Sequence, residues 1–180
     1  MPVQKLKCQS SQVLAEVNGL KIVAGLNAVT GDEGAGKTQF LKQLCAANLG
    51  AFWLDLKLPD HNENTPVEIW QSAQIRFPLW SQVLCDELCD ALDLTQHRTK
   101  QLFMLSAGSR RKVGLVSLLA SGAQMVCLDQ PYVALDLASV QVLRDFLNDM
   151  SKDPIRAWTV ADYEADSNLN WVNMIDLDRH

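Results

Sequence analysis

A glycine-rich segment of eight residues near the start of the chain constrains its fold more than any other feature. It fits the pattern G-x-x-x-x-G-K-[ST] and consists of Gly31, Asp32, Glu33, Gly34, Ala35, Gly36, Lys37 and Thr38. Glycines allow a tight bend in which successive backbone N–H groups point inward at a phosphate chain. Lys37 is expected to reach the terminal phosphates, and Thr38 is expected to offer its hydroxyl to Mg²⁺. The segment therefore predicts a phosphate-binding loop.

The residues on either side of this loop have the patterns of a strand and a helix. Residues 25–30 predict a short strand, and residues 38–48 predict a helix with Phe40, Leu41 and Leu44 on one face. This order places the positive end of a helix dipole at the phosphates. The alternative, a glycine-rich turn that fits the pattern by chance, is disfavoured by these flanking elements.

Strand and helix patterns alternate along the rest of the chain. Strands are predicted at 3–8, 13–17, 20–23, 51–56, 125–128, 157–161 and 172–177, with Asn18-Gly19 as a hairpin turn. Helices are predicted at 81–92, 109–120 and 138–150, residues 67–74 are a short helix or an irregular arm, and 59–66 is a surface loop. The alternation predicts an α/β fold with a mainly parallel sheet covered on both faces and antiparallel strands near the N-terminus.

The composition is that of an ordinary soluble domain. The 180 residues suit one domain, 48% are hydrophobic, and the net charge of −5 argues against a large nucleic-acid surface. The five cysteines are odd in number and lack metal-ligand spacing, so we expect small apolar core residues in a reducing compartment. Residues 1–10 lack a secretory pattern, and no apolar run approaches the ~20 residues that cross a bilayer. Any membrane link is therefore expected to go through a partner.

Two further segments have the residue types of a nucleotide site. Residues 125–129 are four apolar residues followed by Asp129, as expected for a buried strand that delivers a carboxylate to Mg²⁺ beside the phosphate loop. A helix-capping aspartate is the common alternative. Residues 105–109, Leu-Ser-Ala-Gly-Ser, precede three basic residues. Ser106 either caps the following helix or forms, with Gly108, a second anion site that serves the γ-phosphate of another subunit.

In this order the motifs resemble those of the ATP-binding cassette (ABC) ATPases. Residues 105–112 are similar to the signature of that family, and residues 134–136 are similar to its D-loop. The resemblance spans about residues 20–177, and the compact size and the Leu-Ser-Ala-Gly form most resemble the haem-exporter subunit of cytochrome c maturation. It implies one P-loop NTPase domain over residues 1–180 that binds ATP and Mg²⁺. It also implies a head-to-tail dimer, of like or unlike chains, with each nucleotide between the Lys37 loop of one chain and Ser106 and Gly108 of the other.

The chain departs from this family at the catalytic positions. Gln130 stands where the family has a glutamate that polarises the attacking water. An amide orients water but accepts no proton at neutral pH, so Gln130 predicts slow hydrolysis with ATP binding retained. Tyr163 stands near the place of the family's switch histidine, either as a donor to the γ-phosphate or as a tyrosine on the sheet rim. The family's magnesium-linking glutamine is represented by Gln71 or Gln74, if by either.

Two more departures concern the nucleobase and the partner protein. No aromatic residue precedes Phe40, so the family's stacking platform for adenine is absent and weak base selectivity is expected. Residues 38–104 number only 67, which predicts a reduced helical subdomain at about 64–120. Trp70, Phe77 and Trp80 in that region are either core packing or an aromatic docking surface.

Two functions follow from the resemblance. The first is an ATPase subunit that powers or regulates a membrane transporter, cytoplasmic and peripheral to the inner membrane through an integral-membrane partner. The second is a non-transport, ATP-dependent clamp or regulatory module with little or no hydrolysis, which Gln130 and Tyr163 favour. A chromosome or repair ATPase is disfavoured because the chain is acidic and has no heptad run, and a P-loop kinase is disfavoured by the signature-like segment.

Overall fold

The computed structural model describes residues 12–179, so the predicted strand at 3–8 lies outside the described residues. The fold is α/β, as predicted. The strands are β1 (Val13–Val17), β2 (Leu20–Val23), β3 (Gly25–Thr30), β4 (Ala51–Trp53), β5 (Met125–Asp129), β6 (Ala157–Ala161) and β7 (Asn173–Asp176). The last five form a parallel sheet in the order β4-β5-β6-β3-β7, and β1 and β2 form an antiparallel pair.

Within residues 12–179, five helices of ten residues or more connect the strands. They are α1 (Lys37–Ala47), α2 (Pro66–Arg76), α3 (Gln82–Ala91), α4 (Ala107–Ala120) and α5 (Leu137–Asp149). The segment for which the sequence left two alternatives is a regular helix, α2, which begins with a capping box formed by Thr65 and Glu68. Within residues 12–179, none of the helices combines the length and the hydropathy that spanning a membrane requires.

The predicted strand at 51–56 is too long, because β4 ends at Trp53. The chain turns immediately afterwards: the Asp55 carboxylate accepts a hydrogen bond from the Lys57 N–H, and the Asp55 carbonyl accepts one from the Leu58 N–H. Leu58 then adopts a left-handed φ of 49°, which ends any extended path. The residues that follow β4 therefore form a turn at the carboxyl edge of the sheet.

The parallel sheet is covered on both faces, as predicted. Alternate side chains of β5 point to opposite faces, since successive residues of a strand alternate in direction. Val126 and Leu128 belong to the core shared with α2, α3, α4 and α5, whereas Met125 and Cys127 belong to the core shared with α1 and the β1–β2 hairpin. The sheet thus fixes the carboxyl end of β5 between two packed layers.

The helical region predicted at 64–120 packs onto one face of this sheet. Trp70 and Phe77 are buried in the same core as β5, and the Trp70 indole donates to the Val113 carbonyl at 3.1 Å. Trp80 is half-buried against that core. Core packing, rather than an aromatic docking surface, is the correct interpretation of Trp70 and Phe77. The expected burial of the cysteines is confirmed at Cys85, Cys89 and Cys127, whereas Cys45 is half-buried and Cys8 lies outside the described residues.

One buried amide joins the hairpin to the main sheet. The hairpin turn is as predicted, with left-handed φ values at Asn18 and Gly19. Beyond it, the fully buried Asn27 of β3 exchanges two hydrogen bonds with the backbone of Val23 in β2, at 2.8 and 3.0 Å. Asn173 of β7 donates to the same Asn27 side chain at 3.1 Å. The side chain of one residue therefore connects β2, β3 and β7.

Candidate nucleotide site

The phosphate loop, residues 31–38, leads from β3 into α1. Gly34 and Gly36 have φ values of 84° and 90°, a conformation that favours glycine. Helix α1 begins at Lys37, and no side chain among residues 12–179 caps its N-terminus. The first N–H groups of an α-helix have no partner within the helix and favour negative charge. The start of α1 therefore presents N–H donors at the place where the sequence predicts phosphate.

Lys37 is the cation of this loop. It is buried, and its Nζ donates to the carbonyls of Gly31 and Asp32 at 2.5 and 2.7 Å. The Asp32 N–H in turn donates to the Asp178 carboxylate at 2.8 Å. The Lys37 ammonium also lies 4.7 Å from the centre of the Tyr163 ring, within the range of a cation–π contact. These contacts hold the ammonium group at the centre of the loop.

Thr38 and Asp129 meet although they lie far apart in the sequence. The Thr38 hydroxyl donates to Asp129 Oδ2 at 2.6 Å, and Asp129 is the last residue of β5. Magnesium takes oxygen ligands and is typically held by one or two protein groups together with substrate phosphates and water. A hydroxyl and a carboxylate side by side at the end of the phosphate loop fit such an ion.

One cavity brings together residues from three separate parts of the chain. Its volume is about 450 Å³, and we call it the phosphate cavity; it is lined by Glu33, Gly34, Gly36, Lys37, Thr38, Gln39, Asp129, Gln130 and Tyr163. Sequence analysis assigned phosphate, metal or catalytic roles to all of these residues except Gln39. The fold thus brings residues predicted to bind phosphate, to bind metal and to act in catalysis together around the phosphate cavity.

Gln130 has a backbone conformation that is unusual for a residue with a side chain. Its φ is 44°, a left-handed value that costs energy and is maintained only where the surroundings determine it. Its N–H donates to the Ala161 carbonyl at 2.8 Å, and its carbonyl accepts from Arg111 Nη2 at 2.5 Å. Both backbone groups are therefore fixed, and the residue lines the phosphate cavity next to Asp129.

Tyr163, two residues after the end of β6, completes the wall of the phosphate cavity. Tyr163 is 50% exposed and lies on the rim of the cavity with its ring next to Lys37. Its neighbour Asp162 was missed by the sequence analysis. Burial raises the pKa of the Asp162 carboxyl, and the nearby Lys37 charge opposes that shift. Asp162 comes directly after the buried strand β6, and Asp129 ends the buried strand β5, so a carboxylate at the end of an apolar run is the signal that could have identified Asp162.

Ser106 and Gly108 do not line the phosphate cavity of their own chain. Ser106 caps α4, since its hydroxyl accepts from the Ser109 N–H at 3.1 Å. Gly108 lies against the loop before α5, where a Cβ on residue 108 would be 2.5 Å from the Ala134 carbonyl oxygen. Both are on the surface that the sequence analysis assigned to a second subunit, and the anion site remains a prediction for such an assembly.

Gln71 and Gln74 are also away from the phosphate cavity. Both are exposed on α2, and neither lines any of the cavities around the phosphate loop. The turn after β4 lies at the site instead. Asp55 lines a second cavity of about 250 Å³, which we call the side cavity, together with Thr38 and Asp129. Asp55 was missed because its position depends on which strand pairs with β5, and local patterns do not specify that pairing.

A third cavity, of about 320 Å³, lies between the hairpin and α1. It is lined by Asn18, Leu20, Ala35, Gly36, Gln39, Phe40, Gln43 and Leu177. Phe40, the one aromatic residue among these, is buried in the core below α1. The amide side chains in this group can both donate hydrogen bonds to a nucleobase and accept them from it. Such groups do not distinguish one base from another by themselves, so weak base selectivity stays a prediction.

Comparisons with known proteins agree with this geometry, although no protein-family model matches the chain. The chain is 30% identical to the cytochrome c biogenesis ATP-binding export protein CcmA of Ruegeria sp., over 69% of each chain. Its fold is similar to that of an ABC transporter ATP-binding protein from Pyrococcus furiosus, with a TM-score of 0.70, 18% identity, and coverage of 89% of this chain and 90% of that one.

A second solved structure with the same fold is MJ0796, a bacterial ABC transporter cassette whose structure is dimeric. The TM-score is 0.65 at 15% identity, and the match covers 81% of this chain and 78% of MJ0796. The identity and coverage of the Ruegeria relative, with the strand order and the phosphate loop described above, lead to one conclusion. The chain belongs to the ATP-binding cassette family of ATPases.

Proposed function

We propose that this ATPase is the nucleotide-binding subunit of a membrane transporter and that it hydrolyses ATP slowly. The observation that carries the proposal is the phosphate cavity, in which Lys37 and Thr38 of α1 meet Asp129 of β5. The Ruegeria relative is named as an export protein of cytochrome c biogenesis, which supports export as the direction of transport.

Each residue of the site has a role in this proposal. Backbone N–H groups of the phosphate loop and the Lys37 ammonium bind the β- and γ-phosphates of ATP. The loop residues concerned are Gly31, Asp32, Glu33, Gly34, Ala35 and Gly36. Thr38 and Asp129 would hold Mg²⁺, which when bound neutralises charge on the phosphates. Gln130 positions the attacking water, and Tyr163 donates to the γ-phosphate.

The nucleotide site is proposed to be completed by a second subunit. Ser106 is exposed at the N-terminus of α4, where its hydroxyl and the helix dipole favour an anion. Large apolar side chains are exposed nearby, including Met104 just before Ser106 and Leu137, which is 89% exposed at the start of α5. The dimeric structure of the similarly folded MJ0796 supports a head-to-tail dimer in which Ser106 and Gly108 reach the other subunit's nucleotide.

A different surface is proposed to meet the membrane partner. Ile75, Leu79 and Val83, at the junction of α2 and α3, are 69–86% exposed. Exposed apolar side chains that lie close together often indicate an interaction site. We propose that this junction contacts an integral-membrane subunit on the cytoplasmic side of the inner membrane, which would make the chain a peripheral protein.

Calorimetric titration of ATP with Mg²⁺ tests the proposal, combined with an assay of phosphate release. We expect binding with slow turnover, and we expect Lys37→Ala to abolish both, because the variant loses the cation that faces the phosphates. A comparison of ATP with GTP in the same titration tests the expected weak base selectivity. The absence of any heat with the unmodified chain would overturn the proposal. Binding without turnover would identify the chain as an ATP-dependent clamp instead.

A further inference from the structure

We propose that Asp55 is a catalytic residue whose carboxylate accepts the proton of the attacking water, the task for which Gln130 has no basic group. The inference rests on the proposed function, because it concerns the same reaction. Its basis is the position of Asp55 relative to Asp129, the cavity that both residues line, and a buried cation beside them.

Strand pairing places Asp55 and Asp129 at the same edge of the sheet. Strands β4 and β5 are parallel, and Trp53, the last residue of β4, pairs with Cys127. Asp129 is two residues beyond Cys127 at the carboxyl end of β5, and Asp55 is two residues beyond Trp53 in the turn that follows β4. Adjacent strands are about 4.8 Å apart, so the turn begins beside the end of β5. Both residues line the side cavity.

The side cavity joins Asp55 to the reacting end of the nucleotide site. Besides Asp55, it is lined by Thr38, Lys42, Trp53, Leu56, Lys57, Arg111, Asp129 and Gln130. Thr38, Asp129 and Gln130 also line the phosphate cavity, so the two spaces share a wall. The side cavity has a volume of about 250 Å³, whereas a water molecule in the liquid occupies about 30 Å³. The side cavity therefore has room for a water molecule beside Asp55.

Arg111 places a largely buried positive charge at the wall of the side cavity. The residue lines the cavity and is only 7% exposed. Burial lowers the pKa of the Arg111 guanidinium, and the Asp55 and Asp129 carboxylates oppose that shift. The guanidinium is thus near both carboxylates and is suited to a water molecule or a phosphate oxygen.

Asp55 is the carboxylate of the side cavity that has no other assigned role. Asp129 Oδ2 accepts from the Thr38 hydroxyl and is assigned to magnesium, and Asp162 lines neither the side cavity nor the phosphate cavity. Asp55 Oδ1 accepts from the Lys57 N–H at 2.9 Å, which fixes the orientation of the carboxylate. Its Oδ2 has no protein partner within residues 12–179 and is available to a water molecule.

The reaction balances without any further reagent. The water oxygen forms a bond to the γ-phosphorus while the bond from that phosphorus to the β,γ-bridging oxygen breaks, and the electron pair leaves with ADP. The water proton passes to the Asp55 carboxylate and then to solvent. Gln130 orients the same water through its amide, and Arg111 keeps the Gln130 backbone in place.

Single-turnover hydrolysis of ATP by the full chain tests this role. We expect Asp55→Asn to slow the chemical step about a hundredfold, the low end of what a general base contributes. Nucleotide affinity from calorimetry and Mn²⁺ binding from electron paramagnetic resonance should change by less than about twofold, since the P-loop and Asp129 remain. Asp55→Glu should restore part of the rate. Asp60→Asn, on the exposed turn that follows, is the matched control and should behave as the unmodified chain.

If Asp55→Asn folds poorly, the rate of Asp55→Glu keeps the test decisive, and a double variant tests the same role from the neighbouring position. Asp55→Asn combined with Gln130→Glu should regain turnover, because a carboxylate returns to the same water from the neighbouring position. Equal single-turnover rates for Asp55→Asn and the unmodified chain would overturn the role. So would an Mn²⁺ affinity that falls in proportion to the rate, or a rate loss in Asp162→Asn but not in Asp55→Asn. An unmodified chain that binds ATP without turnover overturns this inference but not nucleotide binding, whereas failure to bind ATP overturns the proposed function itself.

Discussion

Gly108 shows how one residue connects the signature-like segment to the rest of the site. A Cβ at this position would be 2.5 Å from the Ala134 carbonyl oxygen, closer than any real contact. Because the neighbour is backbone, the loop before α5 would have to move. Gly108 is therefore required for close packing, in addition to any contact with a nucleotide.

The variant Gly108→Ala is expected to be less stable by about 1–3 kcal/mol, the usual cost of overpacking. Urea unfolding measures the change. Gly114→Ala in the same helix is the matched control, because its Cβ would lie 3.0 Å from the end of the flexible Leu56 side chain. Alanine also favours helix over glycine by up to about 1 kcal/mol, so the control should lose little. Equal losses of stability in Gly108→Ala and Gly114→Ala would contradict the proposed clash with the Ala134 carbonyl.

Gln130 is the residue expected to limit the rate. Gln130→Glu introduces a carboxylate beside Asp129 in the phosphate cavity, where it can accept a proton from water. We expect turnover of ATP to rise at least about tenfold, since a positioned base typically contributes a larger factor. Steady-state phosphate release measures it, with Gln124→Glu, an exposed position outside the cavity, as the control. Identical rates in Gln130→Glu and the unmodified chain would refute the explanation.

At the scale of the secondary-structure elements, an ion pair joins α4 to α5. Lys112 of α4 donates to the Asp136 carboxylate at 2.7 Å, and Asp136 also caps α5 by accepting from the Ser139 N–H. The hydrogen bond from Lys112, with those from Ser139, holds the pKa of Asp136 well below its usual range. The pair thus connects the helix that contains most of the signature-like segment with the helix that follows Asp129.

The depressed pKa of Asp136 makes part of the stability depend on pH. A carboxylate with a lowered folded-state pKa stabilises the fold above its unfolded pKa, about 4, and that contribution is lost as pH falls through the folded value. Asp136→Asn removes the charge, so the variant should be less stable than the unmodified chain at pH 7. The difference between their free energies of unfolding should become smaller below about pH 4. Urea unfolding from pH 7 to pH 3 measures this difference, with the exposed Asp145→Asn as control. A difference that does not change with pH would contradict the prediction.

Local signals explain which elements the sequence analysis predicted well. The Asn18-Gly19 turn, the glycine loop and the apolar run before Asp129 are each specified by a few neighbouring residues, and the structure places all three as expected. Strand β4 was predicted too long, because the turn at Asp55 depends on hydrogen bonds that composition does not show. Asp55 itself was missed because it reaches the site only through the pairing of β4 with β5. Gln71 and Gln74 were considered because of their residue type, but α2 exposes both.

At the scale of the whole molecule, assembly is expected to depend on nucleotide. Each ATP would lie between two subunits, so binding and dimer formation are linked. Light scattering should give the mass of two chains in saturating ATP with Mg²⁺ and that of one chain without nucleotide. Lys37→Ala should remain monomeric in both conditions, because it lacks the ammonium group that binds phosphate. A monomer at saturating ATP would rule out the head-to-tail dimer.

The amide of Asn27 has a mechanical consequence for the molecule. It ties the β1–β2 hairpin to the strand that leads directly into the phosphate loop, through a side chain that is fully buried. A displacement of the hairpin, by a tether or an adjoining protein, is therefore expected to shift the phosphate loop as well.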